Sequence, residues 1–216
     1  NTCLGYYAGA NLSTGENNVA IGKGAFDAAA GSHVNNGEDS NVAIGKDAMG
    51  AVNAGSNSGA RVYANVAIGD TALLGGTYGS SDLNLDYNIA IGTGALNSTG
   101  SVAQSGTICI GVSSGTAIND AAASGAVAIG HEALTDLTNG PGNTAVGFEA
   151  GKGIVEGNSN TAVGYQTLKG ADDADADQNT AVGYIAGNAI HAGAKNTLVG
   201  NEAGAVRLTT GEKNTG

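Results

Sequence analysis

The chain of 216 residues carries 38 Gly, one Pro, no Trp and two Phe, and only 12% of it is charged. So few large side chains exclude a thick globular core, although they suffice for a thin one shared by stacked coils. The net charge of −11, from 19 acidic against 8 basic residues, argues against nucleic acid and anionic lipid surfaces, where basic groups supply most of the affinity.

From Asn1 onward one phrase recurs: Asn, a β-branched residue, a small one, an aliphatic one, then Gly. Its glycines are Gly5, Gly22, Gly45, Gly69, Gly92, Gly111, Gly130, Gly147, Gly164, Gly183 and Gly200, at intervals of 17, 23, 24, 23, 19, 19, 17, 17, 19 and 17 residues. Self-similarity of this kind decides the architecture, and it gives a single repeat array over residues 1–216. High Gly content is also compatible with disorder, but disorder supplies no reason for an aliphatic residue before every motif glycine. Asn214-Thr215 opens a further copy, and the chain has no initiator Met, so a segment of a longer chain is expected. No apolar run is long enough to span a bilayer as a helix, so no membrane contact is expected of this segment.

Each copy reads as a short strand ended by glycine. Alternation places Val19 and Ile21 on one side and Ala20 on the other, and the same holds down the chain. The Val/Ile side is read as the coil interior. Thr144, Thr161, Thr180 and Thr197 stand at the Val position of later copies, so they too are expected inside, not on an outward array such as an ice-binding face. The opposite row is Ala20, Ala43, Ala67, Ala90, Ala128, Ala145, Ala162 and Ala181, with Cys3, Cys109 and Leu198 as its exceptions. Solvent-facing positions would drift among polar residues, so this row is expected to press on another subunit. A homo-oligomer follows. Cys3 and Cys109 are read as small buried residues, not a disulfide.

Beyond each glycine come two variable residues, a small one (Ala25, Ala48, Ala72) and then either a bulky residue (Phe26, Met49, Leu73) or Gly (Gly9, Gly115, Gly151). This suggests a second, returning strand. The expected fold is all-β: a parallel β-roll, or β-solenoid, of about eleven coils with two short strands per coil. Asn opens nine of the eleven complete copies, which suits a coil corner and a hydrogen-bonded ladder of stacked amides.

Three successive connections, 27–40, 50–64 and 74–87, are longer than the rest. Stacking should bring them out side by side as a lateral patch that includes Arg61, Tyr63, Tyr78, Asp82, Asp86 and Tyr87, a candidate ligand surface. Asp173, Asp175 and Asp177 alternate like the start of a calcium loop, but Gln178 stands where such a loop needs Gly. At most an irregular Ca²⁺ site is expected, and otherwise no cofactor. His33, His131 and His191 have no recurring catalytic partners, and no Ser/His/Asp or Cys/His set is present, so no enzyme is expected.

Asn17 to Gly22 and Ser40 to Gly45 resemble the head repeats of trimeric autotransporter adhesins (the YadA-like head). Gly142 to Gly151 and Asn179 to Gly187 resemble repeats of bacteriophage tail-fibre proteins. The resemblance covers the whole chain, although the coils here are longer than those of the adhesin heads. It implies a left-handed β-roll, three chains joined as a homotrimer, and a structural and adhesive role in an extracellular or virion attachment fibre. The alternative is a binding module that recognises a cell-surface glycan or protein on a host through the long lateral loops.

Overall fold

A computed structural model describes residues 1–12, 15–28, 38–52, 61–75, 84–100, 102–171, 176–191 and 193–204. The chain is an all-β parallel solenoid, with no helix among these residues beyond a 3-10 turn at Ala121–Ala123. Each repeat gives one three-residue strand: Thr2–Leu4, Val19–Ile21, Val42–Ile44, Val66–Ile68, Ile89–Ile91, Ile108–Ile110, Val127–Ile129, Thr144–Val146, Thr161–Val163, Thr180–Val182 and Thr197–Val199. These eleven form a single sheet in sequence order, every pair parallel and in register, so that motif position stacks on motif position. A second sheet of four strands, Glu38–Asp39, Arg61–Tyr63, Asn84–Asp86 and Gln104–Ser105, lies just before the motif strands of its coils. The two-strand coil therefore holds in that part of the stack. Elsewhere the wall opposite is irregular backbone carrying Ile118, Leu137, Ile154 and Ile190 inward.

The inside and the outside of the motif strand are the reverse of the sequence expectation. Ala20, Ala43, Ala67, Ala90, Ala128, Ala145, Ala162 and Ala181 are all 0% exposed in the single chain and face the coil interior, so they are not a subunit contact. The Val, Ile and Thr residues on either side of them face out, half-buried in most coils and exposed at Ile68, Thr197 and Val199, so the four threonines lie outside as well. The reason is the width of the coil. Four residues past each glycine the chain faces the Ala row across the interior, with a bulky side chain there in six copies and glycine in five. A methyl group at Gly187 would lie 3.4 Å from Ala181 Cβ, and one at Gly151 3.5 Å from Ala145 Cβ. There is no room there for Val or Ile.

The post-glycine segment is a turn, not a returning strand. Its second and fourth residues are left-handed in every copy, as at Glu149 (φ 52) and Leu168 (φ 48). Their amides bond in opposite directions along the stack: Gln166 N–H donates to the Phe148 carbonyl at 2.8 Å, and Leu168 N–H donates to the Ala186 carbonyl at 3.0 Å. Left-handed geometry costs a non-glycine residue about 1–2 kcal/mol. Stacked hydrogen bonds and burial of the Leu side chain offset it.

The Asn corner is the expected ladder. Asn41 Oδ1 accepts from both the backbone N–H and the side-chain amide of Asn65, each at 3.0 Å, and Asn65 Oδ1 does the same for Asn88. The amide of each Asn also donates to a carbonyl on the second wall, as Asn41 does to Val62 at 2.9 Å and Asn160 to Ala176 at 2.7 Å. The ladder is interrupted where Thr107 and Ala126 replace Asn, and it resumes at Asn143. These asparagines are buried, and each satisfies backbone groups that the corner would otherwise leave without partners.

Candidate functional site

Two surfaces and one side-chain ladder stand out from this scaffold. The first is the outward facet of the eleven-stranded sheet. Two rows of side chains run its length: Thr2, Val19, Val42, Val66, Ile89 and their successors, and Leu4, Ile21, Ile44, Ile68, Ile91 and theirs. No position in either row is charged. At about 4.8 Å per strand the facet is roughly 50 Å long. An uncharged strip of that length, apolar apart from Thr2, Thr144, Thr161, Thr180 and Thr197, in contact with water is the mark of an association surface.

The second surface lies on the long connections. The second sheet places Arg61 and Tyr63 on one strand beside Asp86 on the next, with Tyr87 just past its end, so four of the six expected patch residues come together. The Arg61 guanidinium chelates Asp86, with Nε 3.1 Å and Nη2 2.5 Å from Oδ2, and its Cζ lies 5.2 Å from the centre of the Tyr63 ring. That ring meets Tyr87 edge to face at 5.5 Å. The carboxylate is nearly enclosed and holds Arg61 as a cation, pushing its already high pKa further up through the hydrogen bond. Tyr87 is 53% exposed and offers a ring and a hydroxyl to solvent. Asn84, in register with Arg61, has a buried side-chain oxygen with no hydrogen-bond partner among the described residues. Tyr78 and Asp82 lie outside the described residues.

The ladder consists of the first residues after four successive motif glycines. His131, Phe148, Tyr165 and Tyr184 stack with centroids 5.2, 5.2 and 5.3 Å apart and planes within 9° to 12° of parallel. In the sequence this is the first of the two variable positions after the glycine; its signal is the run of four π-systems in one register position. The backbone fixes the spacing, because each ladder carbonyl accepts the amide of the next coil's left-handed residue, as His131 does from Glu149 at 2.8 Å. Beside the rings runs an ionic chain over three coils. Lys152 Nζ lies 2.5 Å from Glu132 and 3.4 Å from Glu149, while Lys169 Nζ and Gln166 Nε2 reach Glu149 Oε2 at 2.7 and 2.6 Å. The Lys169 hydrogen bond, with those of Gln166 and Lys152, outweighs desolvation and holds the Glu149 carboxyl down at about 2.

Asp173 and Asp175 lie outside the described residues. Asp177 Oδ1 is engaged by the backbone N–H of Asn158 at 2.6 Å and its side-chain amide at 3.1 Å. Among the described residues no three His, Cys, Asp or Glu side chains are grouped as a metal would require. Both cysteines are free thiols. Cys109 is enclosed, and burial pushes its thiol up to about 12, whereas Cys3 occupies the same motif position in the first coil and is exposed. No helix among the described residues is long and apolar enough to cross a membrane. Comparison with family models, curated proteins and solved structures gave no match.

Proposed function

We propose that this chain is a structural segment of a homotrimeric attachment fibre, exposed on a cell surface or a virion, and that it performs no catalysis. The observation that carries this reading is the outward facet: eleven in-register strands that present uncharged, branched side chains to solvent along their whole length. Three copies joined along such facets bury them about a common axis and leave the long connections on the outside. The likeness of the repeats to adhesin heads and phage tail fibres supports the same assembly and the same extracellular setting. Light scattering tests it directly, with a mass of three chains expected. An Ile91→Lys/Ile129→Lys variant should give a mass of one chain with its β-type circular dichroism retained. A monomeric unmodified chain would overturn the fibre assignment.

A second reading is favoured by the assembled Arg61, Tyr63, Asp86 and Tyr87 cluster, with Tyr87 more than half exposed. It makes the long connections an adhesive patch for a host-cell glycan or protein. Binding of intact fibre to cells should then fall when Tyr63 and Tyr87 are both changed to Ala, while the mass of the assembly stays the same.

A further inference from the structure

The aromatic ladder takes no part in the coil interior. Phe148, Tyr165 and Tyr184 stay 41%, 43% and 49% exposed, one coil above another. Each ring lies two residues beyond the Val row of the facet, around the corner made by the motif glycine, so ladder and facet form one continuous uncharged surface over these coils.

Symmetry requires more than the facet. A two-fold pair can use one patch against itself, but a three-fold ring needs two different patches on every copy, each meeting its complement on a neighbour. The facet is also narrow. Two rows set about 7 Å apart over roughly 50 Å fall well short of the ≈800 Å² per partner that a stable contact buries. Aromatic side chains are the residues most enriched in the buried centre of such contacts.

We infer that the ladder is the second patch. In the trimer the ring edges of Phe148, Tyr165 and Tyr184 on one copy pack against the outer row of the next copy, at Thr144, Thr161 and Thr180. This rests on the trimeric reading above and adds to it the residues that close the ring.

Hydroxyl-radical footprinting of the assembled protein, read residue by residue by mass spectrometry, tests this with Tyr87 as the internal reference. In a single chain Tyr87, Tyr165 and Tyr184 are similarly exposed, at 53%, 43% and 49%. In the assembly Phe148, Tyr165 and Tyr184 should be oxidised at least about tenfold more slowly than Tyr87, as expected for side chains at the centre of a contact. In parallel, a Tyr165→Ser/Tyr184→Ser variant, altered only at exposed positions, should keep its fold and dissociate at a concentration at least about tenfold higher, which for a three-chain equilibrium is a hundredfold change in the constant, about 2.7 kcal/mol per trimer or more. A trimer whose ladder reacts as fast as Tyr87, or whose double variant dissociates at the unmodified concentration, overturns the inference and leaves the fibre reading standing. A monomeric unmodified chain overturns both.

Discussion

Whether Gly or a bulky residue stands four positions past the motif glycine follows from the volume of one interior slot. Gly9 and Gly115 face Cys3 and Cys109, and Gly204 faces Leu198; methyl groups at these glycines would lie 2.5, 2.4 and 2.6 Å from the facing sulfur or methyl. Where the motif row carries Ala alone, Phe26, Met49, Leu73, Leu96, Leu134 or Leu168 fills the slot, or the slot stays glycine and is taken by a neighbour: Leu134 and Ile154 at Gly151, Leu168 and Leu198 at Gly187. The sequence showed this alternation without its cause, since the partner lies across the coil and not along the chain. A double-mutant cycle measures it. Gly115→Ala should cost about 1–3 kcal/mol in denaturant unfolding, from overpacking on Cys109 added to left-handed strain. In a Cys109→Ala background the sulfur clash is gone and the strain and the 2.9 Å approach to Ile118 Cδ1 remain, so the double variant should cost less than the sum of the two single ones.

At the scale of the coil, two kinds of ladder hold neighbours together. The Asn ladder is buried and was legible, because identical polar residues at a fixed place in each repeat stack and pair. The ionic chain from Glu132 through Lys152 and Glu149 to Lys169 was not legible. Its members come from different positions within the repeat and meet only because the coils are in register. It makes a pH prediction. The Glu149 carboxyl titrates at about 2 in the folded chain against 4.5 for an ordinary glutamate, so its contribution is complete above pH 4.5. It declines as pH falls from there and is gone below about 2, because the folded state binds its proton later than the unfolded one. The melting temperature of a Glu149→Gln variant should lie below that of the unmodified chain at neutral pH, and the gap should close between pH 4.5 and 2. A gap that stays constant across that window would show that the carboxylate's charge contributes nothing.

For the whole molecule, exchanging inside for outside changes what a given substitution does. Lysine at Ala145 and Ala162 would enter a 0%-exposed interior, where an uncompensated charge costs far more than a coil can supply. The expected result is loss of β-type circular dichroism, with the chain recovered as aggregate or unfolded monomer. Lysine at Ile91 and Ile129 stays at the surface, so folding should persist while association is lost. Circular dichroism and mass, measured together on both variants, separate the two faces. An Ala145→Lys/Ala162→Lys chain that folds normally and only dissociates would restore the Ala row as the contact.

The repeat by itself determined that the chain is a parallel solenoid. An aliphatic residue before every glycine, at intervals too irregular for a helix, admits no other way to pair its strands. It also determined the Asn corner and that the described ends of the long connections lie side by side, because stacking turns distance along the chain into position along the rod. Alternation divides a strand into two faces, yet it carries no sign that says which one is inside. Only the tertiary structure decided that. The bulky side chains that fill the narrow interior, from the slot itself or from a neighbour, leave room for Ala and exclude Val and Ile, so the small row lines the interior and the branched rows are turned to solvent.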